Sequence, residues 1–158
     1  METSFSGKTI VVSLSLIFCL FLSKYCNAQL KGDDLKSAIE SGKFSFVVTH
    51  ESGGDFALGS NYYLKVIQDS ISAALPFSGR SNTASYTMSE NGINVNTKKF
   101  TYDETATKKG GYFIKIVLKN DRVTNSFSLR VNKNGMATLA AESYNRDSQV
   151  YSGGIMPL

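Results

Sequence analysis
Beyond Lys43, apolar and polar side chains alternate with a period of two through most of the chain. In Lys43–His50, Phe44, Phe46 and Val48 alternate with Ser45, Val47 and Thr49. In Tyr112–Lys119, Tyr112, Ile114, Ile116 and Leu118 share one face, and in Ser126–Asn132 Phe127, Leu129 and Val131 do the same. One apolar and one mostly polar face is the pattern of an antiparallel strand packed on a core and wetted on its other side. The runs Tyr62–Gln68, Ile71–Leu75, Ala84–Ser89, Ile93–Thr97 and Met136–Ser143 read as further short strands. Asp33–Gly42 has helical spacing instead. Leu35, Ala38 and Ile39 fall on one stripe, an Asp is placed to cap the start, and Gly42 to take the left-handed stop.

Turn chemistry joins these runs. Asn91-Gly92 and Asn134-Gly135 predict two-residue hairpins with positive φ at both central positions. Asp69-Ser70 and Asn120-Asp121 predict turns between neighbouring strands, Gly110-Gly111 precedes Tyr112, and Glu51–Ser60 reads as a Gly-rich loop, expected to be a mobile stretch. The expected fold is one β-rich α+β domain: a sequential antiparallel meander with a short N-terminal helix against it. The sheet is curled, as an open barrel or a sandwich.

A third pattern precedes the domain. Thr9–Leu22 is apolar apart from Thr9, Ser13 and Ser15, with Lys8 before it and Lys24 after it. It is too short for a permanent transmembrane helix, which takes about 20 apolar residues. It fits the hydrophobic region of a secretory signal, and Cys26-Asn27-Ala28 places small residues at the −3 and −1 positions of a cut before Gln29. Residues 1–28 are therefore expected to be removed, leaving 29–158 in the periplasm, at the cell surface or outside. The lesser alternative is a lipoprotein anchored through Cys26, but Lys24 and Tyr25 stand where a lipobox has small residues.

The cut removes Cys19 and Cys26, the two cysteines of the chain, so the mature domain is held by core burial without disulfides. The whole chain has net charge +4. Its basic residues come as short pairs, Lys98-Lys99 and Lys108-Lys109, with no long run, which argues against nucleic acid as a partner. His50 is the one histidine and reads as a strand-end surface residue without partners for a triad or a metal site. Ser78 lacks the leading glycine of a nucleophile elbow. Asp103 and Glu104 are adjacent, so on a strand they face opposite sides, while Asp33, Asp34 and Asp55 have local roles in a cap and a loop. No catalytic residue, metal ligand or cofactor is assigned.

The best binding candidate is the loop Leu75–Arg80. Pro76 fixes one φ, Gly79 permits a tight turn, and Arg80 projects a five-donor guanidinium. Arg80 either grips an anionic group, such as a carboxylate or peptide C-terminus, or braces a neighbouring loop through backbone carbonyls, and bracing is the commoner role. The same choice applies to Tyr151 and the Gly153-Gly154 step. Tyr62, Tyr63, Tyr86, Tyr102, Tyr112, Tyr144 and Tyr151 fit either a groove for sugars or peptides or half-buried strand packing.

Two segments, Leu75-Pro76-Phe77-Ser78-Gly79-Arg80 and Tyr151-Ser152-Gly153-Gly154-Ile155-Met156-Pro157, depart from generic β-sequence. Between them lie Asn91-Gly92-Ile93, Gly111-Tyr112-Phe113-Ile114 and Asn134-Gly135-Met136-Ala137-Thr138-Leu139. In this order and spacing they resemble an exported family found mainly in Bacteroidota, domain-of-unknown-function family 4251, over about Lys43–Pro157. The resemblance implies a fold and an exported address, and no activity. Two functions are expected to compete. The first is a non-enzymatic domain binding a small ligand or an envelope protein through a sheet face and the Pro76 loop. The alternative is a carboxylate-dependent hydrolase or lyase of envelope polymers, which requires two acids to converge in one pocket.

Overall fold
A computed structural model describes residues 29–51, 61–80, 92–119 and 124–158. Helix α1 (Gly32–Glu40) is followed by nine strands: β1 (Lys43–Glu51), β2 (Tyr63–Ile67), β3 (Ser70–Pro76), β4 (Gly92–Thr97), β5 (Phe100–Ala106), β6 (Tyr112–Leu118), β7 (Thr124–Val131), β8 (Met136–Ser143) and β9 (Gln149–Met156). The leader, most of the Gly-rich loop, the Ala84–Ser89 run with Asn91, and the Asn120-Asp121 turn lie outside the described residues.

All strand pairs are antiparallel, in the order β4-β3-β2-β1-β9-β8-β7-β6-β5. The expected sequential antiparallel meander is borne out: β1–β4 and β5–β9 each run strand to neighbouring strand, and the sheet curls so that the first strand pairs with the last. The strands β5 and β9 were absent from the expected set. Strand β5 has four exposed residues in its last four positions, so no apolar alternation marks it. Strand β9 has glycine at the inward position 153 and again at 154 on the outer face, where Gln29 covers it, which erases the pattern there. Gly153 is required: a Cβ at this position would stand 2.0 Å from the Val47 carbonyl oxygen on β1.

The order also explains closure. Strands β4 and β5 sit at opposite edges of the sheet, which laid flat would be about 38 Å apart at the usual strand spacing. Yet Thr97 and Phe100 are three residue steps apart, a reach of at most about 11 Å. The edges must therefore meet. Because first and ninth places in an antiparallel order run in the same direction, β5 begins where β4 stops. Residues 92–106 form one ribbon bent at Lys98-Lys99, pairing by its first half with β3 and by its second half with β6. The result is a staggered, nearly closed barrel.

The inward faces are those the alternation predicts. Phe44, Phe46, Val48, Ile114, Ile116, Phe127, Leu129 and Leu139 are buried, together with Leu35 and Ile39 from α1. Each such side chain contributes about 1.5–3 kcal/mol on leaving water. The Tyr102 hydroxyl of β5 donates to the Ile39 carbonyl at 2.9 Å, so the edge strand holds the end of the helix. Gly42 stops the helix at φ +61°, as expected. The expected Asp cap is not made: the N-cap is Lys31, without a side-chain hydrogen bond, and the helix starts at Gly32. Asp33 and Asp34 fall inside the first turn, where their charge favours the helix dipole instead. The turn between β2 and β3 is also shifted from Asp69-Ser70 to Gln68-Asp69, with Gln68 at φ +46°.

Candidate functional site
Two turns of the same design lie side by side at one end of the barrel. Between β5 and β6, the Thr107 N–H donates to the Gly111 carbonyl at 2.8 Å and the Gly110 N–H to the Thr107 carbonyl at 3.0 Å. Between β7 and β8, the Asn132 N–H donates to the Met136 carbonyl and the Gly135 N–H to the Asn132 carbonyl, both at 2.8 Å. Gly110 at φ +76° and Gly135 at φ +83° close these turns. This is a type I turn followed by a left-handed glycine. The expected two-residue turn at Asn134-Gly135 is corrected accordingly: Asn134 is not left-handed, because the extra residue is absorbed as a bulge.

The turns bound a concave cavity of about 850 Å³, with the ends of β6 and β7 as its walls. Four cations line it: Lys108 and Lys109 from one turn, Lys133 from the other, and Arg130 from β7. Among the described residues no carboxylate lines it, and none of the four cations makes an ion pair. Arg130 stands opposite Phe113 in the β6–β7 register and lays its guanidinium over that ring, 5.8 Å from the centroid. Tyr112, half-buried, and Val131, buried, supply apolar surface. Hydrogen-bonding capacity is lopsided. The Thr107 and Asn132 carbonyls, Thr107 Oγ1 and Asn134 Oδ1 all accept backbone N–H groups already. Ammonium, guanidinium and Asn134 amide donors remain.

The sequence candidates Arg80 and Tyr151 come together at the opposite end. The buried Tyr151 hydroxyl donates to the Pro76 carbonyl, latching the loop from beneath. Burial, reinforced by the Glu51 charge, pushes the Tyr151 hydroxyl above the usual tyrosine range. Ser78 Oγ donates to Glu51 Oε1 at 2.8 Å, so this serine is a turn anchor. Arg80 is tied by its backbone: its N–H donates to Asp147 Oδ2 at 2.9 Å, and the Asp147 N–H donates to its carbonyl at 3.1 Å. Its side chain is exposed and has no partner among the described residues. The bracing arginine is Arg146, which donates to the Gly92 carbonyl at 3.2 Å and covers the half-buried Phe77 ring at 5.1 Å.

Among the described residues, the acids singled out in the sequence are all solvent-exposed. Asp103 and Glu104 are exposed on β5, and Asp33 and Asp34 on α1. His50 is exposed, with Nδ1 3.1 Å from Thr49 Oγ1. Among the described residues, no three His, Cys, Asp or Glu side chains gather to hold a metal ion. No helix among them is long and apolar enough to cross a membrane.

The sequence profile described as Domain of unknown function (DUF4251) matches residues 27–155. The chain belongs to the DUF4251 family. Its fold is similar to the crystal structure of a DUF4251 family protein from Bacteroides eggerthii DSM 20697, with a TM-score of 0.60 and 17% identity, covering 79% of this chain and 86% of that one. At that identity the likeness shows a shared architecture alone. No curated protein matches. In this DUF4251 chain, sequence reasoning missed the two-turn cavity, although its parts were visible as Lys108-Lys109, Gly110-Gly111 and Asn134-Gly135. Nothing in linear order showed that these turns are neighbours.

Proposed function
We propose that the protein is an exported, non-catalytic binding domain whose ligand is an anion seated between the two turns. The observation behind this reading is the cavity lined by Lys108, Lys109, Arg130 and Lys133, with no carboxylate among its described lining residues. Clustered like charges repel, and a concave wall concentrates their field, so such a site attracts negative ligands. The lining side chains are cations, amides and rings, which suit binding better than the paired acids of a hydrolase. Arg80, exposed at the far end, is a second anion contact of the same kind for a protein partner.

Titration with phenylacetate, phenyl phosphate and neutral benzyl alcohol, followed through the amide resonances of Gly110 and Gly111, tests the reading. The anions should move these resonances, and benzyl alcohol should not. No response to either anion overturns it. Export rests on the apolar leader Thr9–Leu22 and the small residues before Gln29. An intact mass for the native protein should correspond to a chain starting at Gln29, and a diacylglyceryl adduct on Cys26 overturns that.

A further inference from the structure
We infer that the anion is a phosphoryl group on a partly apolar body, rather than a carboxylate. This rests on the anion-binding reading above and narrows it. The argument is a count of donors and acceptors. Within the two turns, the Thr107 and Asn132 carbonyls, Thr107 Oγ1 and Asn134 Oδ1 each already receive a backbone N–H. Asn134 Oδ1 accepts from the Met136 N–H at 3.1 Å, which leaves the Nδ2 hydrogens of the same amide outward. The Thr107 hydroxyl accepts from the Gly111 N–H at 3.1 Å and keeps its own proton to donate. To these are added the ammonium groups of Lys108, Lys109 and Lys133 and the guanidinium of Arg130. The rim is thus rich in donors, the four acceptors just named are engaged, and the exposed Asn132 amide adds one further donor group and one acceptor.

A carboxylate presents two oxygens and one charge. A phosphomonoester presents three non-bridging oxygens and close to two charges at neutral pH, the better match to four cations and these further donors. Arg130 sharpens the preference. Held against the Phe113 ring, its planar group is pre-oriented, and a fork of N–H donors in fixed orientation suits paired phosphoryl oxygens. The two turns are near enough to share one group: a Cβ on Gly110 would stand 4.0 Å from Lys133 Cβ. The Phe113 ring, on the same sheet face as Arg130, and the half-buried Tyr112 at the rim offer apolar surface to the body the phosphate is attached to. A soluble phosphomonoester and an anionic lipid headgroup share this chemistry.

The test uses the purified protein and calorimetric titration. Phenyl phosphate should bind about tenfold more tightly than phenylacetate, the equivalent of one additional charge-assisted hydrogen bond. Arg130→Lys, which keeps the charge and loses the fork, should weaken phenyl phosphate by about tenfold and phenylacetate less. Lys65→Ala on β2, outside the cavity, should change neither. Phosphatidylcholine vesicles containing phosphatidate distinguish the source: co-sedimentation supports a lipid phosphate, and its absence alongside phenyl phosphate binding supports a soluble one. Phenylacetate binding as tightly as phenyl phosphate overturns the phosphoryl assignment while leaving the anion reading intact. Unchanged binding by Arg130→Lys, or an equal loss in Lys65→Ala, overturns it too. Failure of both anions to bind removes the broader reading with it.

Discussion
The two ends of the barrel are built on opposite electrostatic terms. At the Pro76 end the loop is tied down by a set of hydrogen bonds and a ring contact: Tyr151 to Pro76, Ser78 to Glu51, the Arg80 backbone to Asp147, and Arg146 to Gly92 and Phe77. At the two-turn end the backbone is equally well bonded, but four cationic side chains stand without ion pairs among the described residues. A bonded side chain contributes to stability. An unpaired one beside like charges contributes little or opposes it, and is free to meet a ligand. The lesson is that the loop carrying Arg80, the site candidate of the sequence, has its backbone and Tyr151 committed to closing the barrel, while the Arg80 guanidinium stays exposed. The proposed anion site is instead the pair of ordinary-looking turns.

This contrast can be broken by mutation. Tyr151→Ala should be the most damaging change, costing about 3–5 kcal/mol through the lost buried ring, whereas Tyr151→Phe should cost about 1–3 kcal/mol by leaving the Pro76 carbonyl unpaired. Urea unfolding measures both, and a neutral Tyr151→Phe would show that the latch does not hold the loop. Alkaline pH should act next. Burial raises the hydroxyls of Tyr151 and Tyr102 above the usual range, with Glu51 and Glu104 adding to the respective shifts. The unfolded chain ionises first, near pH 10, so this stabilisation is complete below about pH 10 and is lost as pH rises toward the folded-state values. Thermal unfolding should therefore weaken above that pH, and less steeply in Tyr151→Phe. An identical profile for the variant would remove Tyr151 from the account.

Smaller effects separate the arginines and the ends. Arg146→Ala should cost about 1–2 kcal/mol for a hydrogen bond and a ring contact. Arg80→Ala should stay within about 0.5 kcal/mol, as exposed substitutions do. A drop of several degrees in the melting temperature of Arg80→Ala would make its guanidinium a brace. The double variant Lys108→Ala/Lys133→Ala should leave stability within about 0.5 kcal/mol of the parent, or raise it slightly by relieving repulsion, while anion binding falls sharply. Lost stability together with unaltered binding would reverse the assignment of the two ends.

Much of the fold was legible before any coordinates. The period-two alternation identified the buried faces of β1, β6 and β7, since a strand with one face on a core must place its apolar residues at every second position. Helical spacing located Leu35 and Ile39 correctly, and the DUF4251 resemblance is borne out over residues 27–155. What local pattern determined, then, was which residues go inward and roughly where strands turn, because those choices depend on neighbours in the chain. The tertiary structure alone decided that β9 returns to β1, that residues 92–106 serve both edges, and that Lys108 and Lys133 face the same cavity. These depend on contacts between segments distant in sequence, in strands such as β5 and β9 where exposure or glycine leaves no apolar trace.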